Sequence, residues 1–93
     1  MSKVVLEGYI LVPDADLHAV EQELPSHIKL TREEEGCLVF KVLQDEENIN
    51  RFNVYEEFAS QNSFELHQQR VRHSKWGAIA INVERRYRIE GAL

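Results

Sequence analysis

The sequence predicts an α+β sandwich, one antiparallel sheet of four strands with helices packed on one face. Three observations carry this. Arg51 to Phe58 and Val83 to Glu90 alternate side chains with a period of two, as strands do. Two longer stretches, starting near Asp14 and Ser60, space apolar residues at helical intervals. Turn-forming residues then cut the chain into the order strand, helix, strand, strand, helix, strand.

Taken in order, Lys3 to Val12 (KVVLEGYILV) is β-rich and apolar at both parities, the mark of a central strand covered on both sides. Pro13 ends it, and Asp14 or Asp16 is the expected cap of the first helix. Leu17, Val20, Leu24 and Ile28 form that helix's apolar stripe. Pro25 removes a backbone donor inside it, which predicts a kink or two shorter helices. TREEE, Thr31 to Glu35, reads as a charged, solvated exit that Gly36 stops.

Cys37 to Leu43 is the second strand. The polar run Gln44 to Asn50 connects it by a hairpin to the third, Arg51 to Phe58. Period two puts Phe52, Val54, Glu56 and Phe58 on one face and Asn53, Tyr55 and Glu57 on the other. Ser60 is the expected N-cap of the second helix, where Phe64, His67 and Val71 share a face. A short helical stretch around Ser74 to Ala80 follows, weakened by Gly77. Val83, Arg85, Tyr87 and Ile89 alternate with Glu84, Arg86, Arg88 and Glu90 in the fourth strand. This order is that of a ferredoxin-like βαββαβ sandwich, one domain over residues 1–93. Val5, Tyr9 and Leu11 fall on the face that the helices leave open, so a second copy is the expected cover, giving a homodimer.

The totals exclude several classes. Hydrophobic residues are 43% and charged residues 29% of the chain, an ordinary globular mix. Eleven basic against 16 acidic side chains give a net charge of -5 with no Lys/Arg stripe, so no nucleic-acid partner is expected. Arg85, Arg86 and Arg88 read as a solvated face. Cys37 is the only cysteine, which rules out an intrachain disulfide and leaves no structural zinc spacing. No apolar run is long enough to span a bilayer and no signal peptide opens the chain, so a soluble, cytoplasmic protein without a membrane partner is expected.

Residue type singles out a few side chains. His67 on an apolar stripe is either a buried structural histidine or a base whose ordinary pKa lies near neutrality. Glu56, between Val54 and Phe58, needs a partner if buried; it could orient the imidazole or serve the fold alone. Cys37 reads as a small strand residue rather than a nucleophile.

The stretch EEGCLVFKVLQDEENINRFNVYEEFASQNSFELHQQRVRHSKW resembles the antibiotic biosynthesis monooxygenase family, including its quinol monooxygenases. Glu34, Gly36 and Cys37 match the pattern's opening, Arg51 and Phe52 its strand start, and Tyr55 and Glu56 its acid motif. Phe64, His67 and His73 match its helix and the turn beyond. Pro25 and Phe58, the latter where tryptophan is common, depart from it.

The resemblance implies a dimeric α/β barrel and a cofactor-independent monooxygenase oxidising a small phenolic or quinol substrate with O2. No metal or other cofactor is expected. Heme is discounted because His67 stands where the heme-degrading branch has tryptophan and the first strand has no asparagine. Triplet oxygen reacts poorly with closed-shell molecules, whereas a phenolate can give it one electron. The protein then supplies a base, an apolar pocket and groups that hold the anion. On this reading His67 and Glu56 are the catalytic pair. Tyr9, Phe40, Tyr55 and Trp76 wall the pocket, Arg51 or Asn53 meets a substrate oxygen, and His73 lies nearby. A non-oxidative isomerase of a small carbonyl compound, or a non-catalytic ligand-binding module, would use the same scaffold.

Overall fold

A computed structural model of the protein describes residues 3–91. Its elements are β1 (Val4–Leu11), α1 (Asp14–Arg32), β2 (Cys37–Gln44), β3 (Arg51–Phe58), α2 (Gln61–Arg72), α3 (Lys75–Ile79) and β4 (Glu84–Glu90). The sheet order is β2-β3-β1-β4 and every pairing is antiparallel. This is the ferredoxin-like α+β arrangement, with β1 and β3 central.

Register decides which side chains meet. Glu56 of β3 lies opposite Leu6 of β1 and Phe40 of β2, and Val54 lies opposite Gly8 and Val42. On the other side of β1, Gly8 pairs with Tyr87 and Ile10 with Arg85. These residues share the helix-covered face. Val4, Leu6, Ile10, Phe40, Val42, Phe52, Val54 and Phe58 are buried there. The alternation of β3 is complete: every even-numbered residue from Phe52 to Phe58 is buried and every odd-numbered one from Arg51 to Glu57 is partly exposed.

Helix α1 is a single element despite Pro25, and its N-cap position is Pro13, with no side-chain cap bond. The residue before the helix is thus neither Asp14 nor Asp16. Asp14 instead accepts a hydrogen bond from Asn50 Nδ2 at 2.7 Å. Pro25 lies on the exposed side of α1, where water can serve the carbonyl left without a donor. The buried side of α1 carries Val20, His27 and Thr31. Ser60 caps α2 through the Ser63 amide, and Ser63 Oγ accepts from the Ser60 amide in return.

Helix α3 brings Trp76 into the core, where it is 7% exposed. Ser74 caps this short helix by accepting from the Gly77 amide at 3.1 Å. Gly77 does more than weaken the helix. A Cβ there would stand 2.2 Å from the carbonyl oxygen of Val71, in the last turn of α2. Only glycine permits α3 to lie this close. Alanine is better than glycine by about 1 kcal/mol inside a helix, yet here the clash with backbone outweighs that gain. Gly77→Ala is expected to destabilise the fold by about 2 kcal/mol or more. Urea unfolding followed by the fluorescence of Trp76 reads it, and a stabilised variant would show that α3 moves away freely.

Candidate active site

A cavity of about 150 Å³ lies between the sheet and the helices. The sheet gives it Leu6, Ile10, Phe40, Val42, Val54 and Glu56. The helices contribute His27 from α1, His67, Gln68 and Val71 from α2, and Trp76 from α3. Tyr87 and Arg85 of β4 close one side, and Arg85, exposed, also donates to the Ala80 carbonyl at 3.3 Å.

His67 is the best-held polar group. It is 3% exposed, and Glu34 Oε1 lies 2.6 Å from its Nδ1. The other Glu34 oxygen, Oε2, accepts from Arg70 Nε at 2.9 Å, and Arg70 Nη2 also donates to Thr31 Oγ1 at 3.0 Å. Burial favours a neutral Glu34, but the hydrogen bonds from Arg70 and His67 outweigh it and hold the carboxyl below its ordinary value. An ionised carboxylate only accepts, so His67 carries its proton on Nδ1 and donates it to Glu34. Burial lowers the pKa of His67 while Glu34 resists, so the ring is neutral near pH 7. Its Nε2 lone pair then faces the cavity.

Opposite that lone pair stands Glu56, with Oε1 3.7 Å from His67 Nε2. That gap is longer than a hydrogen bond. Glu56 therefore does not orient the imidazole; Glu34 does, from the run read as a solvated helix exit. Glu56 is 6% exposed, and its Oε1 has no hydrogen-bond partner among the described residues. Burial, with the Glu34 charge adding to it, pushes its pKa up to about 8. Glu56 is thus a neutral acid beside a neutral base.

Two more groups were not among the expected site residues. His27, 5% exposed, stacks on Trp76 with centroids 4.5 Å apart and planes 3° from parallel. Burial, helped by His67 and Arg70, holds its pKa down to about 3. Tyr87 is pushed up to about 12 by burial and by Glu56, and so keeps its hydroxyl proton. A signal for His27 existed in the sequence, since it continues the stripe of Val20 and Leu24.

Of the expected residues, the structure brings Glu56, His67, Phe40 and Trp76 to one cavity. It does not bring the rest there. Tyr9, Arg51, Asn53 and Tyr55 lie on the opposite face of the sheet, as their odd positions in the register require. There the Arg51 guanidinium covers the Tyr9 ring at 3.8 Å and donates to Asn53, which donates to Asp45. Tyr55 donates to Glu57. His73 is the exposed C-cap residue of α2. Among the described residues, no group of three or more His, Cys, Asp or Glu is placed to hold a metal ion, and no helix is long and apolar enough to cross a membrane.

Under its helices the ferredoxin-like sheet thus holds a buried carboxyl and a buried imidazole beside one cavity. The model of the antibiotic biosynthesis monooxygenase family matches residues 3–78, and the chain belongs to that family. Solved structures of similar shape include PA3566 of Pseudomonas aeruginosa, with a TM-score of 0.78 at 21% identity, covering 99% of this chain and 93% of that one. A candidate antibiotic biosynthesis monooxygenase from Nitrosomonas europaea has a TM-score of 0.76 at 16% identity, with coverage of 98% and 88%. A conserved protein from Methanosarcina mazei Go1 has 0.69 at 20%, with coverage of 99% and 91%. At such identities the likeness establishes the fold alone. No curated protein is similar enough in sequence to match.

The protonation of Glu56 has a consequence for stability. Its folded pKa of about 8 lies above the ordinary 4.5. The stability that its neutral form contributes is therefore fully present below pH 4.5 and is lost as pH rises to about 8. Glutamine cannot ionise. The stability of Glu56→Gln relative to the wild type should thus rise by about 1.4 kcal/mol per pH unit across that window. Urea unfolding at several pH values inside it measures this, and a gap that does not change with pH would mean that Glu56 ionises normally in the fold.

Proposed function

We propose that the protein is a cofactor-independent monooxygenase that oxidises a small phenolic or quinol substrate with O2, working as a homodimer. The observation that supports it best is the bare Nε2 of His67, fixed from behind by Glu34 and facing the buried Glu56 across 3.7 Å in the cavity between sheet and helices. Nε2 takes the proton of a ring hydroxyl, as a general base. The resulting anion passes one electron to O2, and the two radicals join in a carbon–oxygen bond. The hydroperoxide then loses water and leaves a carbonyl. One oxygen atom ends in the product and one in water, and the substrate supplies the electrons. Glu56 donates the proton that the departing oxygen needs and regains one from His67. Membership in the monooxygenase family adds weight to this chemistry.

Purified protein without added metal or cofactor should consume oxygen with a panel of hydroquinones, naphthols and anthrones. His67→Ala should lose about 10²-fold or more of kcat/KM while staying folded by circular dichroism. The base must be neutral and the acid protonated. The rate should therefore rise through a pKa below 6.5, that of His67, and fall near pH 8, where Glu56 ionises. Turnover of a small carbonyl compound without oxygen uptake, lost with His67, would replace oxygenation by isomerisation. No turnover of either kind would favour a binding module.

The dimer is proposed from the open face of the sheet, where Val5, Tyr9 and Leu11 of β1 remain half-buried beside Tyr55. Sedimentation velocity at micromolar concentration should give twice the mass of the chain. Lys substitution at Tyr9 and Leu11 should return it to monomer; a wild type that sediments as a monomer would remove the proposal.

A further inference from the structure

Among the described residues, two buried side-chain atoms lack a hydrogen-bond partner, Glu56 Oε1 and His27 Nδ1. Both residues line the same cavity. The chemistry proposed for His67 gives Glu56 a task and leaves His27 without one. Yet His27 is held with care. Trp76 stacks on its ring, and Phe40 meets it edge-on with centroids 5.3 Å apart. A position that needed only packing would be better served by an apolar ring, because an unpaired buried nitrogen is costly. His27 stands on α1, whereas Glu56 stands on β3 and His67 on α2, so polar groups approach the cavity from three elements.

The cavity's size adds a second constraint. At about 150 Å³ it matches a dry protein cavity known to admit one benzene molecule. A second fused ring would exceed that volume and have to extend through the cavity's open side. Resting on the reading of His67 as the base, we propose that the substrate is a single aromatic ring bearing two oxygen functions, one received by His67 and Glu56 and the other by His27. His27 is then a substrate-binding and specificity-determining residue. Because burial keeps its ring neutral, it accepts from a hydroxyl in one tautomer and donates to a carbonyl in the other. That suits both a dihydroxy ring and its oxidised product.

Isothermal titration calorimetry under nitrogen, with hydroquinone, phenol and dihydroxynaphthalene as probes, tests this without turnover. Hydroquinone should bind the wild type about tenfold more tightly than phenol, and dihydroxynaphthalene about tenfold more weakly than hydroquinone. In His27→Phe the advantage of hydroquinone over phenol should vanish. Equal binding of phenol and hydroquinone by the wild type would overturn the proposal. So would an advantage that survives the substitution, or preference for the bicyclic probe. The wild-type comparisons stand even if His27→Phe fails to fold, and His27→Leu offers a second variant. Binding as expected but no oxygen uptake in air would remove the monooxygenase and leave the ligand class standing. Oxygen uptake with bicyclic quinols alone would do the reverse.

Discussion

The carboxylate of Glu34 ties the end of α1 to the middle of α2, and the candidate site depends on that tie. It accepts from His67 and Arg70, while Arg70 reaches on to Thr31 in the last turns of α1. Hydrogen bonds to charged groups contribute about 1.5–3 kcal/mol each, enough to define one orientation of the imidazole. The same carboxylate sets proton positions around it. It places the His67 proton on Nδ1, which leaves Nε2 free, and its charge helps to keep Glu56 protonated. Without it, no hydrogen bond would fix the tautomer of His67, and burial alone would keep Glu56 neutral.

The electrostatics follow an economical pattern. A buried charge without a partner is expensive, and here the half-buried carboxylate that remains ionised, Glu34, has the Arg70 guanidinium against it. His27, His67, Glu56 and Tyr87 are all neutral near pH 7, each driven that way first by burial. The titratable groups facing the cavity from α1, α2, β3 and the ring of Tyr87 are therefore uncharged, and Arg85 at its edge is the one cation among the residues that line it. Such a site can take a neutral molecule with hydroxyl groups, and on the proposed reading it ionises that molecule as His67 takes a proton.

The strands and the placing of His67 and Glu56 were legible because both follow from period. Alternation along β3 put Glu56 among Phe52, Val54 and Phe58, and helical spacing put His67 with Phe64. The same alternation placed Asn53 and Tyr55 on the other face, and Arg51 shares their parity. One cavity cannot use both faces of a sheet, so grouping these residues with Glu56 as pocket residues ran against the register. Glu34 was hidden for a different reason. Inside TREEE, nothing local separates it from Glu33 and Glu35, and its partner is 33 residues away. Only the packing of α2 against the end of α1 distinguishes the three. Pro25 misled because its cost depends on which side of the helix it occupies, and it falls outside the stripe of Val20, Leu24, His27 and Thr31.

What argues most strongly for a ligand is where the fold departs from its own economy. Most of the interior is closed by apolar contacts, with Phe58 against Phe64 and against the face of His67. Replacing Glu56 and His27 by leucine or phenylalanine would remove two unsatisfied polar atoms and fill space, and by transfer energetics alone would stabilise the chain. Gly77 departs in the same direction: it gives up helix propensity so that α3 can press Trp76 onto His27. Glu56 and His27 are far apart in sequence and share no structural need that an apolar residue would not meet. They converge on one cavity, next to the one imidazole whose tautomer the structure defines. A fold selected for stability alone has no reason to gather such costs at one place, whereas a site that must receive oxygen functions on a small ring has a use for each.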